Sequence, residues 1–243
     1  MQGDVSRRTF LGLFGAAAGV TIAPGIAHAA DAPADILRRA DDVRNPAESY
    51  FLRCVVKSSS TSDDTEVEVS IQGNTRTLMK TIRPSRDRGR LGLMVDEDMW
   101  AYVPNLQRSV RISLAQRLVG QAANGDIARC RWTGDYTPTI ESDNAQAWTL
   151  LLTATKKGLT YEKIRAWIEK GTYHPLHAEF LTPTGKVLKR AEYRAYKPIA
   201  GKDRPTVIHI EDAVRQSDYS DIQIVEMTPR TFPASIFYPE NLK

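Results

Sequence analysis

The chain has 243 residues, 42% of them hydrophobic, and a formal net charge of +4 at neutral pH. That length suffices for one domain with a substantial core, with one or two domains as the prior. The weak positive charge allows contact with anionic headgroups or acidic partners, but it does not indicate nucleic-acid binding.

The first thirty residues have the parts of an export signal. A short polar start ends in Ser6-Arg7-Arg8-Thr9-Phe10-Leu11, an apolar run continues to Ile22, and Ala27-His28-Ala29 offers a small-residue cleavage site. The paired arginines point to the twin-arginine route. Gly12 stands where lysine usually follows that motif. The apolar run is shorter than the roughly 20 residues of a spanning helix, so residues 1–29 are expected to be a cleaved signal peptide. Residues 30–243 are then a single soluble domain in the periplasm. No other stretch approaches spanning length. Cys54 and Cys130 are the two cysteines. An oxidising compartment would let them pair, and the alternative is two buried thiols acting as small hydrophobes.

Residues 35–43 read as a helix, with Ile36, Leu37, Ala40 and Val43 on one apolar stripe and Pro46 closing it. Strand character then dominates. Alternating runs occur around Tyr50 to Val56, Val67 to Ile71, Leu78 to Ile82, Leu91 to Val95 and Met99 to Val103. Further candidates are 136–141, 148–155, 162–169, 176–181, 186–196, 206–211 and 222–227. Gly73-Asn74, Asp96-Glu97-Asp98, Pro183-Thr184-Gly185 and Gly201-Lys202-Asp203 supply turns between them. The gaps are too short for helical crossovers, so the sheet is expected to be antiparallel. Leu114, Leu118 and Val119 break the rhythm at helical spacing. Residues 114–130 therefore read as one or two short helices inserted between strands, and the last dozen residues as a loop with a packing segment.

The expected fold is mainly β (α+β), a curved antiparallel incomplete barrel with helices covering its concave face. A face left partly unfilled would be an apolar cavity suited to a lipid. The candidate lining is Val67, Val69, Ile71, Leu91, Leu93, Val95, Trp148, Leu150 and Leu152, with Trp100 and Tyr102 facing either way. A one-residue register error would exchange the faces. Arg83, Arg86, Arg88 and Arg90 form one basic cluster, and Arg108 with Arg111 a second that could serve as rim or lid. Such clusters contact headgroups or backbone carbonyls, or are simply solvated hairpin loops.

The run from Asp98 to Ser113 (DMWAYVPNLQRSVRIS) resembles the W-x-Y-x-P … R-x-x-R-I signature of the outer membrane lipoprotein-sorting proteins, relatives of the periplasmic lipoprotein carrier LolA. Gly171 to Phe180, followed by Gly185-Lys186-Val187-Leu188-Lys189, is similar to a later part of that pattern. The resemblance implies an open barrel with a helical lid over an apolar cavity. Residues 114–136 depart from the family's usual G-S-D-F-x-Y-E-D-L stretch, which leaves the cargo open.

The expected function is therefore a carrier that binds lipid or lipoprotein acyl chains and shuttles them toward the outer membrane. It would be a monomer with no cofactor and transient membrane contact. The alternative is a non-catalytic accessory subunit of an inner-membrane exporter of the resistance type (RND) that moves lipids. A hydrolase is the third class, but no G-x-S-x-G elbow, phosphate loop or metal-ligand spacing nominates a catalytic group. His174 and His177 flank Pro175, which suits no shared helix face, and Asp96-Glu97-Asp98 lacks the ligand pattern of a calcium loop.

Overall fold

Alternation of apolar and polar side chains buries every second residue of β1 (Ser49–Ser58), where Tyr50, Leu52, Cys54 and Val56 are covered. The computed structural model describes residues 31–242, so the expected signal peptide lies outside the described residues. After helix α1 (Pro33–Arg44) and β1, the chain forms a meander of β2 (Thr65–Gln72), β3 (Arg76–Arg83), β4 (Leu91–Val95), β5 (Asp98–Val103) and β6 (Arg108–Ile112). An insertion follows: a small hairpin of β7 (Arg117–Val119) and β8 (Ala122–Ala123), then the one-turn helix α2 (Asn124–Ala128). A second meander contains β9 (Tyr136–Asp143), β10 (Ala147–Ala154), β11 (Lys163–Glu169), β12 (Pro175–Leu181), β13 (Val187–Ile199), β14 (Lys202–Asp212) and β15 (Tyr219–Pro229).

The two meanders join where β1 pairs with β15, giving a 13-stranded sheet in the order β6-β5-β4-β3-β2-β1-β15-β14-β13-β12-β11-β10-β9. Every strand pair in it is antiparallel, as the short connections require. β6 and β9, at the two edges, do not pair. The barrel is open at that seam, and the chain linking those two edges is the insertion itself.

One face carries the main core. A transverse row runs Leu150, Ala166, Ala178, Ala191, Ile210 through five neighbouring strands. Three successive alanines leave only methyl groups on β11, β12 and β13, so whatever covers them packs close to the backbone. All five residues are buried. Helix α1 lies against β9 and β14 and buries the stripe Ile36, Leu37, Ala40 and Val43. It starts with Pro33, whose missing N–H costs nothing there, and stops at Asn45, which is extended because Pro46 follows.

The insertion differs from the short helices expected for residues 114–130. Residues 117–123 are a hairpin, and only 124–128 are helical. Gly120 adopts φ +55°, and a Cβ there would come within 2.0 Å of Ser58 Oγ and 2.5 Å of Ser220 Oγ. The turn thus presses onto the sheet, where Gln121 N donates to Ser220 Oγ at 2.9 Å and Ser220 Oγ to Val119 O at 3.1 Å. Helical spacing of Leu114, Leu118 and Val119 lost to this docking. Gly120→Ala is expected to destabilise the protein by about 2 kcal/mol, since a left-handed non-glycine residue and a steric overlap both oppose it. In a helix the same change would stabilise by up to about 1 kcal/mol, so denaturant unfolding of the variant distinguishes hairpin from helix.

The opposite face is covered by the C-terminal tail. Two 3-10 turns, Ala234–Phe237 and Pro239–Asn241, place Phe237 and Leu242 over Leu93, with Leu78, Leu91, Val95, Trp100 and Tyr102 around them. Among the described residues no helix is long and apolar enough to cross a membrane.

Candidate functional site

The covering layer is one polar-clasped assembly of α1 and the insertion. Asp41 of α1 is fully buried and accepts hydrogen bonds from Trp132 N (3.0 Å), Thr133 N (2.6 Å) and Thr133 Oγ1 (2.6 Å). Arg44, one turn later, pairs with Asp41 and lays its guanidinium 3.6 Å from the centre of the Trp132 ring. Arg204, on β14, donates to the last helical carbonyls, Asp42 O and Val43 O, each at 2.7 Å, and to Ile199 O at 2.9 Å. Below α2, Thr77 Oγ1 donates to Ala128 O at 2.7 Å. Arg129 grips Asp135 through two hydrogen bonds of 2.6 and 2.8 Å and also reaches Asp96 O.

Between this layer and the sheet lies an apolar cavity of about 60 Å³. Leu52, Ile164, Phe180, Ile208, Ile222 and Met227 supply its apolar floor, while Arg44, Asp126, Cys130, Trp132 and Tyr161 face it from the cover or its margins. One water needs roughly 10–15 Å³ of such space, so the cavity admits a few waters and no acyl chain. A second hollow of about 240 Å³ opens between the β7–β8 hairpin and β3 to β6, over Met79, Met99, Ala101, Val110 and Ile112, with Arg90 and Arg117 at its margin. Loading a chain into the 60 Å³ cavity would require the cover to move. Methionine at positions 79, 94, 99 and 227 makes the core unusually adaptable once it does.

Of the expected lining, Val67, Val69, Ile71, Trp148, Leu150 and Leu152 belong to the core on this covered face. None of the six borders the 60 Å³ cavity. Leu91, Leu93, Val95, Trp100 and Tyr102 pack instead under the C-terminal tail on the other face, and of these only Leu91 also reaches the margin of the second hollow. This corrects the assignment of Leu91, Leu93 and Val95 to the inner face. The physical reason is that β4 and β5 are apolar on both sides. Met94 pairs with Met99 and Gly92 with Ala101, and these supply the inner row one residue out of step. Missed altogether were Ile208, Ile222, Phe180 and Tyr193, all on strands whose existence was legible, and Arg44, Trp132 and Tyr161, which only the folded cover brings inward.

Arg108 and Arg111 do not form one rim. On edge strand β6, Arg108 shares a side with Val110 and Ile112, whereas Arg111 is on the other side, ion-paired to Asp98. In the first basic cluster, Arg83 pairs with Glu66, Arg86 with Asp63 and Arg90 with Asp87, which is the solvated arrangement with little net attraction left over.

The two cysteines are free thiols. Burial pushes Cys54 up to about 12 and Cys130 up to about 11, so both remain protonated and weakly reactive at neutral pH. Cys130 Sγ donates to Ile127 O at 3.1 Å. Asp126 is pushed above the ordinary carboxylate range, chiefly by burial, against the attraction of Lys189, the Ala123 N–H bond (2.8 Å) and the Tyr161 hydroxyl (2.9 Å). Its folded carboxyl thus keeps a proton to higher pH than the unfolded one. The stability it contributes is complete below about pH 4 and lost as pH rises through the folded value. Asp126→Asn retains an acceptor oxygen without the charge. Its stability relative to the parent is expected to improve as pH rises from about 4 through the folded value in urea unfolding, and a gap independent of pH would contradict the assignment. The polar groups facing the cavity are mostly held by structural partners. Among the described residues no cluster of three or more His, Cys, Asp or Glu could hold a metal ion.

A LolA superfamily protein from Nitrosomonas europaea superposes with a TM-score of 0.80 at 33% identity, the match covering 87% of this chain and 99% of that one. The chain belongs to the LolA superfamily. A family model described as an uncharacterized protein matches residues 73–243 of this superfamily member. The fold is shared with a DUF1329 family protein from Desulfovibrio piger (TM-score 0.72, 18% identity, 87% of this chain and 98% of that one). It is shared also with a putative outer membrane lipoprotein-sorting protein domain from Vibrio parahaemolyticus (0.68, 18%, 86% and 97%). No curated protein matches this LolA-superfamily chain by sequence.

Proposed function

We propose that this protein is a periplasmic carrier that shelters the acyl part of a lipid or lipoprotein between the sheet and its cover, and moves it toward the outer membrane. The observation that carries the reading is an apolar sheet face covered by a layer that closes through polar contacts, over a barrel open at the β6/β9 seam. An acyl chain gains about 0.8 kcal/mol per methylene on leaving water, so a sixteen-carbon chain faces a barrier of roughly 12 kcal/mol in transit. A soluble apolar refuge removes most of that barrier without any bond being made or broken. Hydrogen bonds at the cover can be exchanged for bonds to water when it lifts, which makes polar closure easier to reverse than apolar burial. Superfamily membership supports the reading. The arginine pair and the Ala27-His28-Ala29 site support export by the twin-arginine route. Contact with membranes at loading and release follows from the role.

The test is to purify the protein from native periplasm and identify what an organic extract contains by mass spectrometry, with uptake of an added fluorescent fatty acid measured in parallel. A bound lipid and saturable uptake are expected. An empty extract together with no uptake would end the carrier reading.

A further inference from the structure

Arg44, Asp126, Arg129, Arg131 and Asp135 all border the apolar cavity from the covering layer, and of these Arg44 is incompletely satisfied. The Arg44 side chain is only 8% exposed. One nitrogen pairs with Asp41, a carboxylate already accepting from Trp132 N, Thr133 N and Thr133 Oγ1. The Arg44 Nε–H is buried and has no acceptor among the described residues. A buried donor left without a partner costs about 1–3 kcal/mol, and such groups are rare enough to call for an explanation. The groups around it offer none: the faces of Trp132 and Tyr193 lie 3.6 and 5.9 Å from the guanidinium carbon, and the neutral Cys130 thiol is close by. Asp126 faces the same cavity, but its carboxyl oxygens already accept from Ala123 N and the Tyr161 hydroxyl. From Arg44 the floor runs along Leu52, Ile208, Ile222 and Met227.

We infer that Arg44 is the receptor for an anionic headgroup, and that the cargo is an acidic amphiphile whose carboxylate or phosphate meets the unpartnered guanidinium edge while its chain, once the cover shifts to enlarge the 60 Å³ cavity, lies on the isoleucine floor. This rests on the carrier reading and narrows its cargo. Guanidinium suits the role because it stays charged when buried and offers several donors in a fixed plane to carboxylate or phosphate oxygens. A hydrogen bond to a charged group in a water-poor site is stronger than a neutral one, so acids are selected over the corresponding esters and alcohols.

The experiment is competition against a bound fluorescent polyene fatty acid on the purified chain. The competitors are dodecanoic acid, dodecyl phosphate, methyl dodecanoate, dodecanol and inorganic phosphate. Both acidic amphiphiles are expected to compete at least tenfold better than the ester and the alcohol. Inorganic phosphate alone is expected to compete weakly. Arg44→Met should abolish the preference for acids while leaving ester binding within about twofold, and Arg44→Lys should keep part of it. If acid and ester bind the parent protein equally well, the headgroup assignment fails and the carrier reading survives. If no apolar probe binds at all, the carrier reading fails with it. Inorganic phosphate competing as well as dodecyl phosphate would also overturn the inference, since it would make the site a simple anion pocket. The acid-against-ester comparison needs no variant, so it decides the matter even if Arg44→Met folds poorly.

Discussion

Arg129→Met is expected to lower the unfolding free energy by about 4 kcal/mol, because it strands Asp135 in the interior. Both side chains of the pair are 3% exposed, and breaking a buried pair by removing one partner typically costs 3–5 kcal/mol, more than the net value of the pair. Lys156 comes within 3.6 Å of Asp135 and relieves part of the stranded charge, which keeps the expected loss inside that range. Arg129→Met combined with Asp135→Asn removes both charges and should recover about half of the loss. A double-mutant cycle by urea unfolding measures the coupling directly. If the double variant is no more stable than Arg129→Met, the loss arises from Arg129's bond to Asp96 O and its packing, not from an abandoned carboxylate.

Arg204→Met is expected to cost about 3 kcal/mol and to act on the cover before the sheet. Arg204 is 2% exposed and donates to Asp42 O, Val43 O and Ile199 O. These first two carbonyls are among the orphan acceptors at the end of α1, and hydrogen bonds from a charged donor are worth about 1.5–3 kcal/mol each, less the burial of the charge. Burial already pulls the Arg204 guanidinium below its usual value. Methionine fills similar space with no donor, so α1 loses its attachment to β14 while its apolar stripe is unchanged. Hydrogen exchange of the α1 amides should accelerate well before that of β1 or β15. Acceleration spread evenly over the molecule would show that Arg204 supports global stability only. In the carrier reading this variant also exchanges lipid faster, because the cover opens more often.

The value of a polar clasp over an apolar core follows from these two sites and from Asp41. The sheet's own cohesion is apolar and long-range, with β1 joined to β15 across the whole sequence. The cover adds to its buried apolar stripe a set of hydrogen bonds whose partners water can replace. Stability of the sheet and closure of the cover are therefore adjustable separately, as the carrier reading requires.

Much of the architecture could be read from the residues alone. Alternation at Val67, Val69 and Ile71, helical spacing at Ile36, Leu37 and Ala40, and the turns at Gly73 and Gly201 identified the elements and their antiparallel order, because those patterns depend on local periodicity and on connection length. The run from Asp98 to Ser113 pointed to the family by resemblance to its signature, which is a match of residue types and not of periodicity. What escaped was anything set by contact between distant segments. The pattern in β4 and β5 is apolar on both sides, so which side faced the cover depended on where the C-terminal tail packed, and Phe237 and Leu242 settled that in favour of Leu93. Helical spacing at Leu114 to Val119 gave way to a hairpin because Gly120 docks on Ser58 and Ser220. Nothing in the sequence singled out Arg44, Arg129 or Arg204. Only the folded chain buries them: Arg204 reaches Asp42 O and Val43 O and Arg129 reaches Asp96 O from distant segments, while Arg44, paired with Asp41 on its own helix, is covered by Trp132.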